Sequence, residues 1–119
     1  MTINHLNLIV TDVTNAVKLF ETYFEFNCEF IKGENGIAVL KNMNNFTLVI
    51  MNNKQDDITY PKDFHFGFIT DNSAQVDNLY KKLVDGKLEI IHPPRKIRDS
   101  YTFYFHFDNL FIEVGHYLQ

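Results

Sequence analysis

A chain of 119 residues, 45% of them hydrophobic and 22% charged, is sized for one globular domain with a core of its own. Eleven basic against fifteen acidic side chains leave a net charge of −4, which argues against a nucleic-acid partner, since that role needs a basic face. No stretch approaches the ~20 apolar residues of a membrane span, and the opening MTINHLNLIVTD lacks the basic and apolar regions of a signal peptide.

Residues 3–10 alternate, with Leu6, Leu8 and Val10 on one face and Ile3, His5, Asn7 and Ile9 on the other, the period-2 pattern of a half-buried strand. Thr11 or Asp12 then offers an N-cap. Val13, Ala16, Val17, Phe20 and Phe24 follow at helical spacing, with Lys18, Glu21 and Glu25 on the solvent side. Residues 26–32 read as a second strand, 33–36 as a turn, 37–41 as a third strand, 42–45 as an Asn-rich turn and 46–51 as a fourth strand. The segment 52–62, polar and carrying Pro61, is the best linker.

Beyond it the pattern recurs. A strand over 64–70 precedes a helix capped by Asp71, Asn72 or Ser73, whose apolar stripe is Val76, Leu79, Tyr80, Leu83 and Val84, and which Asp85-Gly86 stops. A strand over 87–92, a charged loop from Pro93 to Asp99, an aromatic strand over 101–107, a turn at Asp108-Asn109 and a last strand over 110–116 complete the chain. The stretch 64–80 is a degraded copy of 4–20 at a constant offset, pairing His5 with His65, Ile9 with Ile69 and Leu19 with Leu79 without a gap. The expected fold is therefore α+β: two βαβββ modules (about 1–52 and 63–119, joined by 53–62) in one domain. Together they form a cupped mixed sheet with the helices on its outer face.

The candidate chemistry lies on the strand faces turned away from the helices. His5 and His65 share that placement through the repeat, and in the last strand Phe111, Glu113 and Gly115 take it while Leu110, Ile112 and Val114 face the helix. Glu113 corresponds to Val49 in the first module, so the first copy carries no acid there. Two histidines and one carboxylate match the 2-His-1-carboxylate set, which leaves coordination positions open. The same residues also suit plainer roles, the histidines as hydrogen-bonded strand residues and Glu113 as the partner of a nearby Lys or Arg. Arg95, Lys96 and Arg98 can hold an anion or simply solvate a loop. Tyr104 and His106 share a face, and Tyr104 can serve as a proton donor or as aromatic filling. Cys28, the single cysteine, cannot close an internal disulfide, reads as a small core residue and suits a reducing, cytoplasmic setting. His92 and His116 suggest no role.

The openings NHLNLIVTDVTNAVKLF and FHFGFIT and the closing FDNLFIEVGHY resemble, in order and spacing, the vicinal-oxygen-chelate superfamily of glyoxalases, bleomycin-resistance and fosfomycin-resistance proteins and extradiol dioxygenases. The resemblance covers essentially the whole chain. It implies that His5, His65 and Glu113 hold a divalent metal (Mn, Fe, Zn or Ni), which acts as a Lewis acid on a small substrate chelated through two neighbouring oxygens. Val49 stands where glyoxalase I proteins have a fourth ligand, Asn7 where fosfomycin-resistance enzymes have Thr, and the turn at 106–109 replaces their Asp-Pro-Asp-Gly.

Two functions follow. One is a metal-dependent lyase, transferase or dioxygenase, with Asn7, Arg95 and Arg98 as substrate contacts and Tyr104 as a possible catalytic group. The other is a sequestering protein of the bleomycin-resistance kind, whose aromatic face holds an antibiotic or other planar molecule. The resemblance also implies a homodimer acting on a small-molecule ligand.

Overall fold

Asp12 starts the first helix by accepting the backbone N–H of Asn15 at 3.0 Å, and the chain before it runs as β1 (His5–Ile9) with Leu8 buried and His5 and Asn7 exposed. The computed structural model describes residues 1–55 and 58–119; Asp56 and Asp57, inside the expected linker, lie outside the described residues. The chain divides into two compact units, Met1–Thr59 and Tyr60–Gln119.

In the first unit α1 (Val13–Tyr23), β2 (Asn27–Lys32), β3 (Ile37–Lys41) and β4 (Thr47–Met51) follow β1, and the sheet order is β1-β4-β3-β2. β1 runs parallel to β4 and the remaining pairs are antiparallel. Adjacent parallel strands need a long crossover, which α1 and the β2–β3 hairpin supply. Val13, Ala16, Val17 and Phe20 of the expected stripe are buried, joined by Leu19, and α1 packs on β2, β3 and β4. Alternate strand residues Leu8, Ala38, Leu40, Leu48 and Ile50 meet them in the core. The β2–β3 turn also braces the junction between β1 and α1. Asn35 Oδ1 accepts the Val13 N–H at 2.7 Å, and its Nδ2 donates to the Thr11 carbonyl at 2.9 Å.

The second unit repeats the plan with β5 (Phe66–Ile69), α2 (Ser73–Asp85), β6 (Glu89–Ile90), β7 (Arg95–Ile97), β8 (Ser100–Phe107) and β9 (Leu110–Tyr117). Its sheet order is β5-β9-β8-β6, with β5 parallel to β9, and Asn72 caps α2 by accepting the Gln75 N–H at 2.9 Å. Val76 and Leu83 pack over Phe103, Phe105, Leu110, Ile112 and Val114, all fully or almost fully buried.

Three local expectations change. The charged segment expected as a loop contains β7, which pairs antiparallel with Ser100–Thr102 through backbone hydrogen bonds that make no demand on side-chain polarity. The strand expected over 87–92 shortens to Glu89–Ile90. Both segments pair with β8, and Pro93-Pro94 falls between them without an N–H to donate, so the ladder is broken there. Val84, placed on the α2 stripe, is 45% exposed; it follows buried Leu83 directly, and successive helix positions point about 100° apart.

The duplication extends to the register. Asn7 is the partner of Val49 in the β1–β4 pair, and Gly67 is the partner of Glu113 in the β5–β9 pair. The residue two after each histidine thus faces the same position of its partner strand, so Val49 and Glu113 are true counterparts. No helix among the described residues is long and apolar enough to cross a membrane.

Candidate functional site

With Leu110, Ile112 and Val114 committed to the core, strand alternation turns Phe111, Glu113 and Gly115 to the opposite face of β9. The same rule turns Thr102, Tyr104 and His106 outward from β8, where they stand opposite Gly115, Glu113 and Phe111 respectively. On the other side Gly67 and Ile69 of β5 stand opposite Glu113 and Gly115. Glu113 is therefore central to a small polar patch on the helix-free face of the second unit.

Its surroundings hold the carboxylate in one orientation. Oε2 accepts from the Thr102 hydroxyl at 2.8 Å, and Thr102 is itself buried with the Val114 carbonyl at 2.9 Å, so a single hydroxyl proton serves two acceptors. Oε1 faces His65 Nε2 at 3.7 Å, too far for a direct hydrogen bond. His65 Nδ1 lies 2.9 Å from the Asp63 carbonyl oxygen. A carbonyl only accepts, so Nδ1 carries a proton, and in the neutral ring the Nε2 lone pair points at the carboxylate. Two acceptors facing each other repel, and a hydrogen-bond donor or a cation placed between them relieves that repulsion.

Tyr104 completes the wall. Burial first, then the Glu113 charge and a hydrogen bond to it, push the Tyr104 hydroxyl above the usual phenol range, with Arg98 opposing. The ring makes an edge contact with His65 at 5.5 Å between centroids and stacks on Phe111 at 5.1 Å. Phe111 in turn stacks on His106 at 5.0 Å. Beside this patch opens a cavity of about 480 Å³ whose lining includes Arg98, Ser100, Thr102, Tyr104, Glu113 and Tyr117. Arg98 reaches it from the β7–β8 turn, where its φ of 54° lets the chain reverse tightly.

Of the residues expected to act, His65 and Glu113 are brought together, and Arg98 and Tyr104 line the cavity beside Glu113. Arg95 is exposed on β7 opposite Thr102 and is not among the lining residues. His5 and Asn7 belong to the first unit, exposed on β1 opposite Thr47 and Val49. Among the described residues, no three His, Cys, Asp or Glu side chains gather as a ligand set within either unit. The His65–Glu113 pair nevertheless fits two sides of a divalent-metal site, since its donors are an imidazole nitrogen and a carboxylate oxygen. Each is also braced through its far atom, as metal ligands are. Thr102, Gly67, Ser100 and Tyr117 were not singled out from the sequence. The signal for Thr102 was its place two residues before Tyr104, and for Gly67 its place two residues after His65.

Two βαβββ units in one chain define a class of fold that known proteins share. The sequence profile of the Glyoxalase/Bleomycin resistance protein/Dioxygenase superfamily matches residues 2–112, and the chain belongs to that superfamily. A possible glyoxalase from Bacillus cereus is 36% identical over 96% of this chain and 97% of its own, with a TM-score of 0.84. A genomically encoded fosfomycin resistance protein from Listeria monocytogenes shares 19% identity over 98% of this chain and 93% of its own at a TM-score of 0.77. Lactoylglutathione lyase from Agrobacterium tumefaciens shares 18% over 97% and 92% at 0.74. At these lower identities the likeness is one of fold. No curated protein matches the chain.

Proposed function

We propose that this member of the superfamily is a metal-dependent enzyme of the lyase, transferase or dioxygenase type, with His5, His65 and Glu113 as ligands. The observation that carries the reading is His65 Nε2 facing the Glu113 carboxylate at 3.7 Å, each group held by a second partner. When bound, a divalent metal (Mn, Fe, Zn or Ni) supplies Lewis acidity to two neighbouring oxygens of a small substrate. The chain's own residues then divide the remaining work. Arg98, at the cavity, holds negative charge on the substrate, with Arg95 on the same hairpin as a second cation. Tyr104 keeps its proton at neutral pH and so stands ready to donate it to a developing oxyanion. Asn7 offers a polar contact two residues after His5. A homodimer in the reducing cytoplasm completes the proposal, on the strength of the superfamily resemblance and the lone Cys28.

Metal analysis of the purified protein tests this. About one divalent ion per chain is expected, lost in His5→Ala, His65→Ala and Glu113→Gln. A folded protein with no affinity for any of the four metals sinks the reading.

One observation favours a second reading, that of a sequestering protein. Tyr104, Phe111 and His106 form a continuous ring stack at interplanar angles of 27° and 25°, a platform suited to a planar aromatic ligand. His65→Ala would then leave ligand affinity unchanged.

A further inference from the structure

We infer that Thr102 is a positioning residue, which sets the Glu113 carboxylate for cation binding and depends on Gly115 to do so. The inference rests on the metal-site reading above. A glutamate side chain on a sheet face samples several rotamers, and fixing it costs conformational entropy. Here that cost falls on the apo protein. The Thr102 hydroxyl, 1% exposed, holds Oε2 at 2.8 Å and leaves Oε1 turned to His65.

The hydroxyl is itself constrained. Thr102 is β-branched and therefore stiff at χ1. Its Oγ1 lies 2.9 Å from the Val114 carbonyl as well as 2.8 Å from Glu113. Gly115 is its cross-strand partner, and a Cβ there would stand 2.9 Å from Thr102 Oγ1 and 3.1 Å from Ser100 Oγ. Only glycine leaves that hydroxyl where it is. A valine would fill the Thr102 site equally well by volume, and an apolar residue is the cheaper one to bury, so the hydroxyl answers to its two acceptors, of which the carboxylate is the one free to move, rather than to packing. Bracing of this kind, one shell behind the ligands, commonly changes metal affinity by about 10–100-fold.

The test is Mn²⁺ binding by calorimetry to wild type, Thr102→Val and Thr102→Ser, with crystal structures of wild type and Thr102→Val. Thr102→Val should bind at least about tenfold more weakly, while Thr102→Ser, which keeps the hydroxyl, should stay close to wild type. Equal affinity in wild type and Thr102→Val overturns the inference. If wild type binds no Mn²⁺, the titrations are repeated with Zn²⁺, Ni²⁺ and Fe²⁺; if it binds none of the four, the metal-site reading fails and the structures decide the positioning on their own. A Glu113 carboxylate turned away from His65 in Thr102→Val supports it, and an unmoved one overturns it. Should Thr102→Val not fold, Gly115→Ala, which crowds the hydroxyl instead of removing it, is put through the same two measurements with the same criteria.

Discussion

Gly67 stands directly opposite Glu113 in the parallel β5–β9 pair, and a Cβ on it would lie 2.9 Å from Glu113 Cβ and 2.8 Å from the Glu113 carbonyl oxygen. Neither of those atoms sits at the free end of a flexible side chain. Alanine in a strand ordinarily gains stability over glycine through the unfolded state. At this position the crowding should reverse the sign, and Gly67→Ala should lose about 1–3 kcal/mol. Thermal melting checks it: an unchanged or raised midpoint would mean that β5 and β9 are not this close. Asn7 holds the equivalent place opposite Val49, so the first unit accommodates a side chain at this register.

Alkaline titration should show two tyrosines losing their protons late. The Tyr101 hydroxyl donates to Asp77 Oδ1 at 2.5 Å, and that hydrogen bond first, then burial and the Asp77 charge, raise its pKa; Tyr104 is raised by burial first and by Glu113 next. A phenol whose pKa is higher folded than unfolded contributes stability that is complete below the ordinary value of about 10, and that is lost as pH rises through the folded-state value. Tyr101→Phe should therefore cost about 0.5–1.5 kcal/mol at neutral pH, at the lower end because Tyr101 is half-exposed. The gap to wild type should close in strong alkali. Tyrosinate absorbance supplies the second check, since Tyr101→Phe and Tyr104→Phe should each remove one late phase.

Much of this architecture was legible because burial writes itself into periodicity. Leu8 and Val10, like Leu110, Ile112 and Val114, alternate because one face of each strand is buried in the core, although Leu6 of the same expected face is only half-buried. The repeat then carried Val49 onto Glu113, a correspondence that the paired registers Asn7–Val49 and Gly67–Glu113 reproduce. β7 was missed because Arg95, Lys96 and Ile97 join the sheet through backbone groups alone, which leave no trace in side-chain pattern. Thr102 was missed for a different reason. Its partnership with Glu113 exists only at one cross-strand register, and no single strand reveals its neighbour's register. The tautomer of His65 likewise depends on the Asp63 carbonyl, a backbone atom placed by a turn.

Cys28 should react slowly with alkylating agents. Its thiol is pushed up first by burial and then by the negative charge of Glu21, whose carboxylate accepts the Cys28 N–H at 3.0 Å; the contact with the Phe30 carbonyl opposes. Thiolate is the reactive form, and a raised pKa leaves less of it at any pH below that value. Iodoacetamide should therefore label the native protein more slowly than the urea-unfolded chain at mildly alkaline pH, and Glu21→Gln should speed the native reaction. Faster labelling of the native state would contradict the local electrostatics.

Asn35 is the residue whose loss should most disturb the start of α1, and two substitutions separate its two tasks. Its side chain holds the Val13 N–H and the Thr11 carbonyl, closing the β1–α1 junction from the β2–β3 turn, while its backbone sits at a φ of 51°. Asparagine tolerates that left-handed conformation better than most residues, and glycine adopts it freely. Asn35→Gly keeps the conformation and removes the two hydrogen bonds, so it should cost about 1–3 kcal/mol. Asn35→Ala removes the same bonds and adds about 1 kcal/mol of backbone strain. Denaturant unfolding of both variants measures the two contributions. If Asn35→Ala proved no less stable than Asn35→Gly, the turn would have relaxed out of the left-handed region, and the brace on the β1 end of the chain would rest on the side chain alone.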